Sequence, residues 1–142
     1  MPKLSRFFVK SALLCLVLGG AVAGLALSGA GGLPPALLAL RPLAWHLLTV
    51  GWATQLIFGV AFWMFPHAAG DQPRGNERMA WLAFWMLNGG LALRTVGEPM
   101  AALRPMPITG VLLPLAATLQ LAAVLIFVLL TWPRVRASSA RH

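Results

Sequence analysis

Apolar residues run along this chain in four long blocks, and the polar residues collect between them. The blocks extend from about Ser11 to Ala30, Leu43 to Phe65, Met79 to Val96 and Ile108 to Trp132. A helix that crosses a bilayer needs roughly 20 apolar residues, so each block is near the spanning length. Within lipid every backbone N–H and C=O must find an internal partner, which makes each block a helix. Gly and Pro mark the breaks, at Gly31-Gly32-Leu33-Pro34-Pro35, Pro66, Gly97-Glu98-Pro99, Pro105, Pro107 and Pro133. The pattern predicts one all-α domain over residues 1–142, an integral membrane four-helix bundle. The stretch Pro34 to Arg41 is expected to lie along the membrane surface, and the basic, Ser-rich tail 133–142 to be disordered.

Composition agrees with the pattern. Apolar types make up 59% of the chain, charged types only 10%, and the mean hydropathy is +0.80. Soluble domains are about 25% charged, and disordered chains combine low hydrophobicity with high charge, so both classes are excluded. The first apolar run is longer than the core of a signal peptide and is closed by no small-x-small cleavage site, so a retained helix is expected. Leu14 stands where a lipoprotein signal would want a small residue before Cys15.

Charge adds an orientation. Eleven Lys and Arg face three acids, a formal charge of +8. The basic residues sit between apolar runs and line no polar face, which argues against nucleic-acid binding and for a topological role. One side gathers Lys3, Arg6, Lys10, Arg74, Arg78, Arg134, Arg136 and Arg141, and the other Arg41, Arg94 and Arg104. The excess places both termini in the cytoplasm, N-in and C-in. Trp63, Trp81 and Trp132 then fall at the inner interface and Trp45 at the outer one. The expected setting is a multi-pass protein of a bacterial inner membrane.

Little chemistry is available. A single cysteine, Cys15, excludes an internal disulfide and a Cys-based metal site within one chain, and Tyr is absent. Phosphate loops, HExxH, nucleophile elbows and paired carboxylates within a span are missing. His46, about one turn into the second helix, is the main candidate. An imidazole there can ligate a metal or heme iron, or simply satisfy a backbone carbonyl. Gly51, Gln55 and Gly59 form a small, polar face at i, i+4 and i+8, suited to close helix packing or to the edge of a flat cofactor. Asn88, on a stripe with Trp81, Trp85, Ala92 and Thr95, should point into the bundle toward Gln55 or Gln120. Arg94 and Glu98 stand at i, i+4, where a surface ion pair would contribute little and Arg94 would snorkel outward. Gly20, Gly24 and Ser28 make a small-xxx-small stripe. His67 is expected at the inner surface, and His142 lies in the tail.

The second helix carries a resemblance. His46-Leu47-Leu48-Thr49-Val50-Gly51-Trp52, with Ile57-Phe58-Gly59-Val60-Ala61-Phe62-Trp63-Met64-Phe65-Pro66, resembles the second helix of the heme–copper oxidase catalytic subunit, in the nitric oxide reductase and cbb-type branch. Arg41-Pro42-Leu43 is similar to the Arg-Pro-Leu that precedes the heme-ligand histidine there, with Ala44 and Trp45 interposed here. The Trp-rich start of the third helix, Trp81 to Trp85, is similar in style. The resemblance covers roughly residues 41 to 97. It implies a b-type heme with iron on His46, heme carboxylates near Arg41 and Arg94, and Gly51 and Gly59 leaving room for the ring. It also implies respiratory electron transfer, as a homo-oligomer or an accessory subunit of a respiratory membrane complex. The later helices of that subunit, with its copper ligands and second heme ligand, have no counterpart, so the chain is not expected to be a complete oxidase. The competing readings are a heme-free structural membrane subunit and a small oligomeric transporter.

Overall fold

The computed structural model of the chain describes residues 1–28, 39–65 and 75–139, with side chains as far as Val135. It is all-α. We label the helices α1 (Lys3–Leu27), α2 (Arg41–Met64), α3 (Glu77–Leu103) and α4 (Thr109–Ser139). Three of them, Lys3–Leu27, Arg41–Met64 and Thr109–Val135, are long and apolar enough to cross a bilayer. The third helix is long enough, but Asn88, Arg94 and Glu98 interrupt its apolar run.

The helices alternate in direction. Near one end, Phe8 of α1 meets Phe58 of α2 and Phe84 of α3, and Arg134 of α4 reaches the last turn of α2. Near the other end, Gly19 of α1 meets Leu47 of α2, and His46 meets Glu98 of α3. The beginning of α1 and the end of α4 therefore share one end of the bundle. Two antiparallel hairpins, α1–α2 and α3–α4, make up the architecture.

Small residues set the spacing within each hairpin. A Cβ on Gly59 would lie 2.9 Å from Phe8 Cβ, and one on Gly90 would lie 2.8 Å from the Ala116 carbonyl oxygen. The hairpins join through a cluster of Leu4, Phe8, Phe58, Phe62, Ala83, Phe84, Leu87 and Phe127. In it Phe58 and Phe127 stack with centroids 3.8 Å apart, and Phe8 meets Phe84 edge-on at 5.0 Å. Such ring pairs add to the area they bury. The outward faces are apolar: Leu13, Leu14, Val17, Ile57, Leu121, Leu125 and Leu129 are all exposed. A surface of that kind belongs against hydrocarbon.

The helix ends differ from the sequence pattern, each for a physical reason. The first helix begins at Lys3, well before Ser11, because Leu4 and Phe8 are fully buried while Lys3, Arg6 and Lys10 point outward. The third runs from Glu77 to Leu103 and carries Gly97-Glu98-Pro99 inside it, where a break was expected. Its start is fixed by Asn76, whose Oδ1 accepts from the backbone N–H groups of Arg78 and Met79. The fourth continues through Pro133 to Ser139, so residues 133–139 are helical and not a disordered tail. The reason is Arg134, 1% exposed, whose Nη2 donates to the carbonyls of Phe62 and Phe65 at 3.1 and 2.7 Å. It supplies partners to carbonyls that the end of α2 would otherwise leave open.

Two further expectations are corrected. Nothing lies within 4 Å of a Cβ placed on Gly20 or Gly24, so that stripe makes no contact within the described residues, and the neighbouring Gly19 faces α2 instead. The inward stripe of α3 is Ala80, Ala83, Phe84, Leu87, Gly90 and Leu91, whereas Trp85, Ala92 and Thr95 are exposed. Bulky Trp85 gains more against lipid than the small residues could, and alanine and glycine let α4 approach. The stretch 29–38, His67, Arg141 and His142 lie outside the described residues.

Candidate functional site

The second helix is not uniform. Its first turns, Arg41–His46, are α-helical, Leu47–Thr54 is a π-helix, and Gln55–Met64 returns to α. The Thr54 hydroxyl donates to the Thr49 carbonyl five residues back at 3.0 Å, the spacing of the widened turn, and the Thr49 hydroxyl donates to the Trp45 carbonyl at 2.7 Å. π-Helical turns are rare, and those inside α-helices are frequent at functional sites. Here the segment starts directly after His46.

His46 sits against α3. Its Nδ1 is 2.8 Å from Glu98 Oε1 and 3.0 Å from the Pro42 carbonyl oxygen. Both neighbours are acceptors, so a proton belongs on Nδ1, and a ring protonated there alone carries its lone pair on Nε2. Nε2 has no hydrogen-bond partner among the described residues. The side chain is 30% exposed. An imidazole held at one nitrogen by a carboxylate and open at the other has the arrangement of a metal-ligating histidine.

Glu98 is the hub. It is buried, and its Oε1 also accepts from Arg94 Nη1 at 2.9 Å. Arg94 Nε in turn donates to Gln120 Oε1 on α4 at 3.0 Å. Arg94 therefore turns inward, and its pair with Glu98 is mostly buried, with side chains 16% and 6% exposed. Inside the bundle a carboxylate and an amide oxygen satisfy its guanidinium. Glu98 Oε2 and Gln120 Nε2 are buried without partners among the described residues. The network clips α2, α3 and α4 together at one end.

A second polar contact lies nearer the middle. Asn88 Nδ2 donates to Gln55 Oε1 at 3.1 Å and to the Phe84 carbonyl at 2.9 Å, while Gln55 Nε2 points at the Cys15 sulfur at 4.0 Å. Of the two expected partners of Asn88, Gln55 is the one it meets, and Gln120 is taken by Arg94.

The other residues expected to share a cofactor do not converge on His46. A Cβ on Gly51 would lie 2.9 Å from Cys15 and Leu91, so α1 and α3 fill the space beside it, as α1 does beside Gly59. These glycines are packing positions, with no room for a flat ring. Arg41 is exposed and lines a cavity of about 310 Å³ with Ala23, Ala26, Leu27, Ala44, Trp45 and Leu48, between α1 and α2. Among the expected set, only Arg94 joins His46, through Glu98. Glu98 itself was legible as an i, i+4 partner of Arg94, but nothing in the sequence turned it inward. No group of three or more His, Cys, Asp or Glu suited to a metal ion occurs among the described residues. A heme would need only the one protein nitrogen that His46 offers.

Comparison with known proteins finds no matching family model, no matching curated protein and no matching solved structure.

Proposed function

We propose that the chain is a four-span, N-in/C-in protein of a bacterial inner membrane, akin to part of the heme–copper oxidase catalytic subunit, in which His46 ligates the iron of a b-type heme. The observation that carries this reading is the seat of His46: Nδ1 is held by Glu98 at 2.8 Å, with Nε2 left open. Bound heme would supply one-electron redox chemistry, suited to respiratory electron transfer as a homo-oligomer or an accessory subunit. The chain's own part is to fix the tautomer and the angle of the ring through Glu98 and Pro42, and to hold Glu98 in place through Arg94 and Gln120. Gly51 and Gly59 have no part in it. The fourth span is α3, whose polar groups Asn88, Arg94 and Glu98 are turned into hydrogen bonds with α2 and α4 and so kept from lipid.

A second reading, a heme-free structural subunit, draws on the closed packing at Gly51 and Gly59. Absorption spectra separate the two. Protein expressed with ample heme and purified in mild detergent should show a Soret band and sharp reduced α and β bands, lost in His46→Ala and kept in His67→Ala. Wild-type protein without heme absorbance would overturn the first reading and leave the second.

A further inference from the structure

The acids of the described residues leave Arg41 without an anion. Glu98 is occupied by His46 and Arg94, and Glu77 begins α3 at the opposite end of the bundle. Arg41 takes part in no ion pair or hydrogen bond among the described residues. Its guanidinium is permanently charged and best satisfied by a paired oxygen acceptor such as a phosphate.

Below Arg41 the wall is apolar: Ala23, Ala26 and Leu27 from α1, Ala44, Trp45 and Leu48 from α2. The alanines open the crevice, and Trp45, 66% exposed, stands at its edge. Its volume is about 310 Å³, against about 150 Å³ for an apolar cavity that stays dry and takes a benzene ring. Such a space takes hydrocarbon in preference to water. The crevice lies where α1 ends and α2 begins, the depth at which headgroups meet acyl chains if these helices cross a bilayer, and amphipathic indoles favour that depth.

We propose that this crevice binds one anionic phospholipid, with an acyl chain between α1 and α2 and the phosphate on Arg41. The lipid acts there as a fixed wedge between two helices that are packed closely further down, at Gly51 and Gly59. The inference rests on the membrane placement of α1 and α2 and not on heme at His46.

The test is native mass spectrometry of the full chain, purified in mild detergent and exposed to equal amounts of phosphatidylglycerol and phosphatidylcholine. One juxtamembrane arginine favours an anionic lipid by about fivefold. The expected result is one phosphatidylglycerol retained per chain, with roughly that preference over phosphatidylcholine. Arg41→Gln should bring the two lipids to equal retention, and Arg41→Lys should keep most of the preference. Ala23→Leu with Ala44→Leu fills the crevice and should displace the lipid while circular dichroism still reports a helical chain. Equal retention by wild type, an unchanged preference in Arg41→Gln, or retention undiminished in the filled variant would each overturn the proposal. The last result would also follow if residues 29–38 or a second copy occupied the crevice. A missing heme spectrum would leave these outcomes unaffected.

Discussion

Arg134 of α4 donates to the carbonyl of Phe65, the residue that closes α2, at 2.7 Å. The same nitrogen reaches the Phe62 carbonyl, and the guanidinium lies 5.5 Å from the Phe62 ring centroid. One side chain thus ties the last helix to the end of the second and couples the two hairpins.

Arg134→Ala should lower stability by about 2–3 kcal/mol, since a buried charged donor is removed and two carbonyls lose their partner. Thermal unfolding in detergent micelles measures it. Arg134→Lys should recover only part, because an ammonium cannot reproduce the planar fork. A melting temperature unchanged in Arg134→Ala would show that the contact contributes nothing.

Gly51→Leu and Gly24→Leu should behave oppositely. At Gly51 a Cβ alone comes within 2.9 Å of Cys15 and Leu91, and at Gly24 it meets nothing within 4 Å. The first should cost about 1–3 kcal/mol or more by overpacking, and the second should leave the melting temperature of the monomer near wild type.

Asn88→Leu strands the Gln55 amide in the interior. Polar pairs of this kind in membranes average about 0.6 kcal/mol and reach about 1.7. A double-mutant cycle with Gln55→Leu should return a coupling in that range, and a coupling of zero would mean the bond at 3.1 Å carries no energy.

Arg94→Met should be more damaging than Glu98→Gln. Removing Arg94 leaves a buried carboxylate held only by the His46 N–H, and breaking a buried pair from one side costs about 3–5 kcal/mol. Glu98→Gln keeps an acceptor for both neighbours, and the Arg94 charge that it leaves without an anion is 16% exposed and still donates to Gln120. Melting curves of the two variants give the order directly.

Reporter fusions at His142 and within residues 71–78 should both report cytoplasm, following the basic residues. A periplasmic signal from either would reverse the orientation or remove a span.

The apolar runs made the helices and their alternation legible, because in lipid length and hydrophobicity decide secondary structure almost alone. The packing face of α2 was readable too: Gly51, Gln55 and Gly59 recur at helical spacing and all three are buried. Other features depended on partners far along the chain. Pro99 and Pro133 read as stops, yet both lie inside helices, held by the burial of Glu98 and Arg134 beside them. The inward turn of Arg94 required Gln120, 26 residues later and on another helix. The π segment left no periodicity to find, since its widened turns are marked only by hydroxyl contacts at Thr49 and Thr54.

The division into two hairpins also gives assembly an order. The α1–α2 hairpin leaves the ribosome first, with the Gln55 amide oxygen and the His46 ring facing the positions that Asn88 and Glu98 of α3 later occupy. When α3 emerges, its Asn88 and Glu98 meet partners already in place, and so the least apolar helix is recruited by its predecessors. A chain that begins after residue 65 should therefore leave α3 poorly inserted, and co-expression of the first hairpin in trans should restore it.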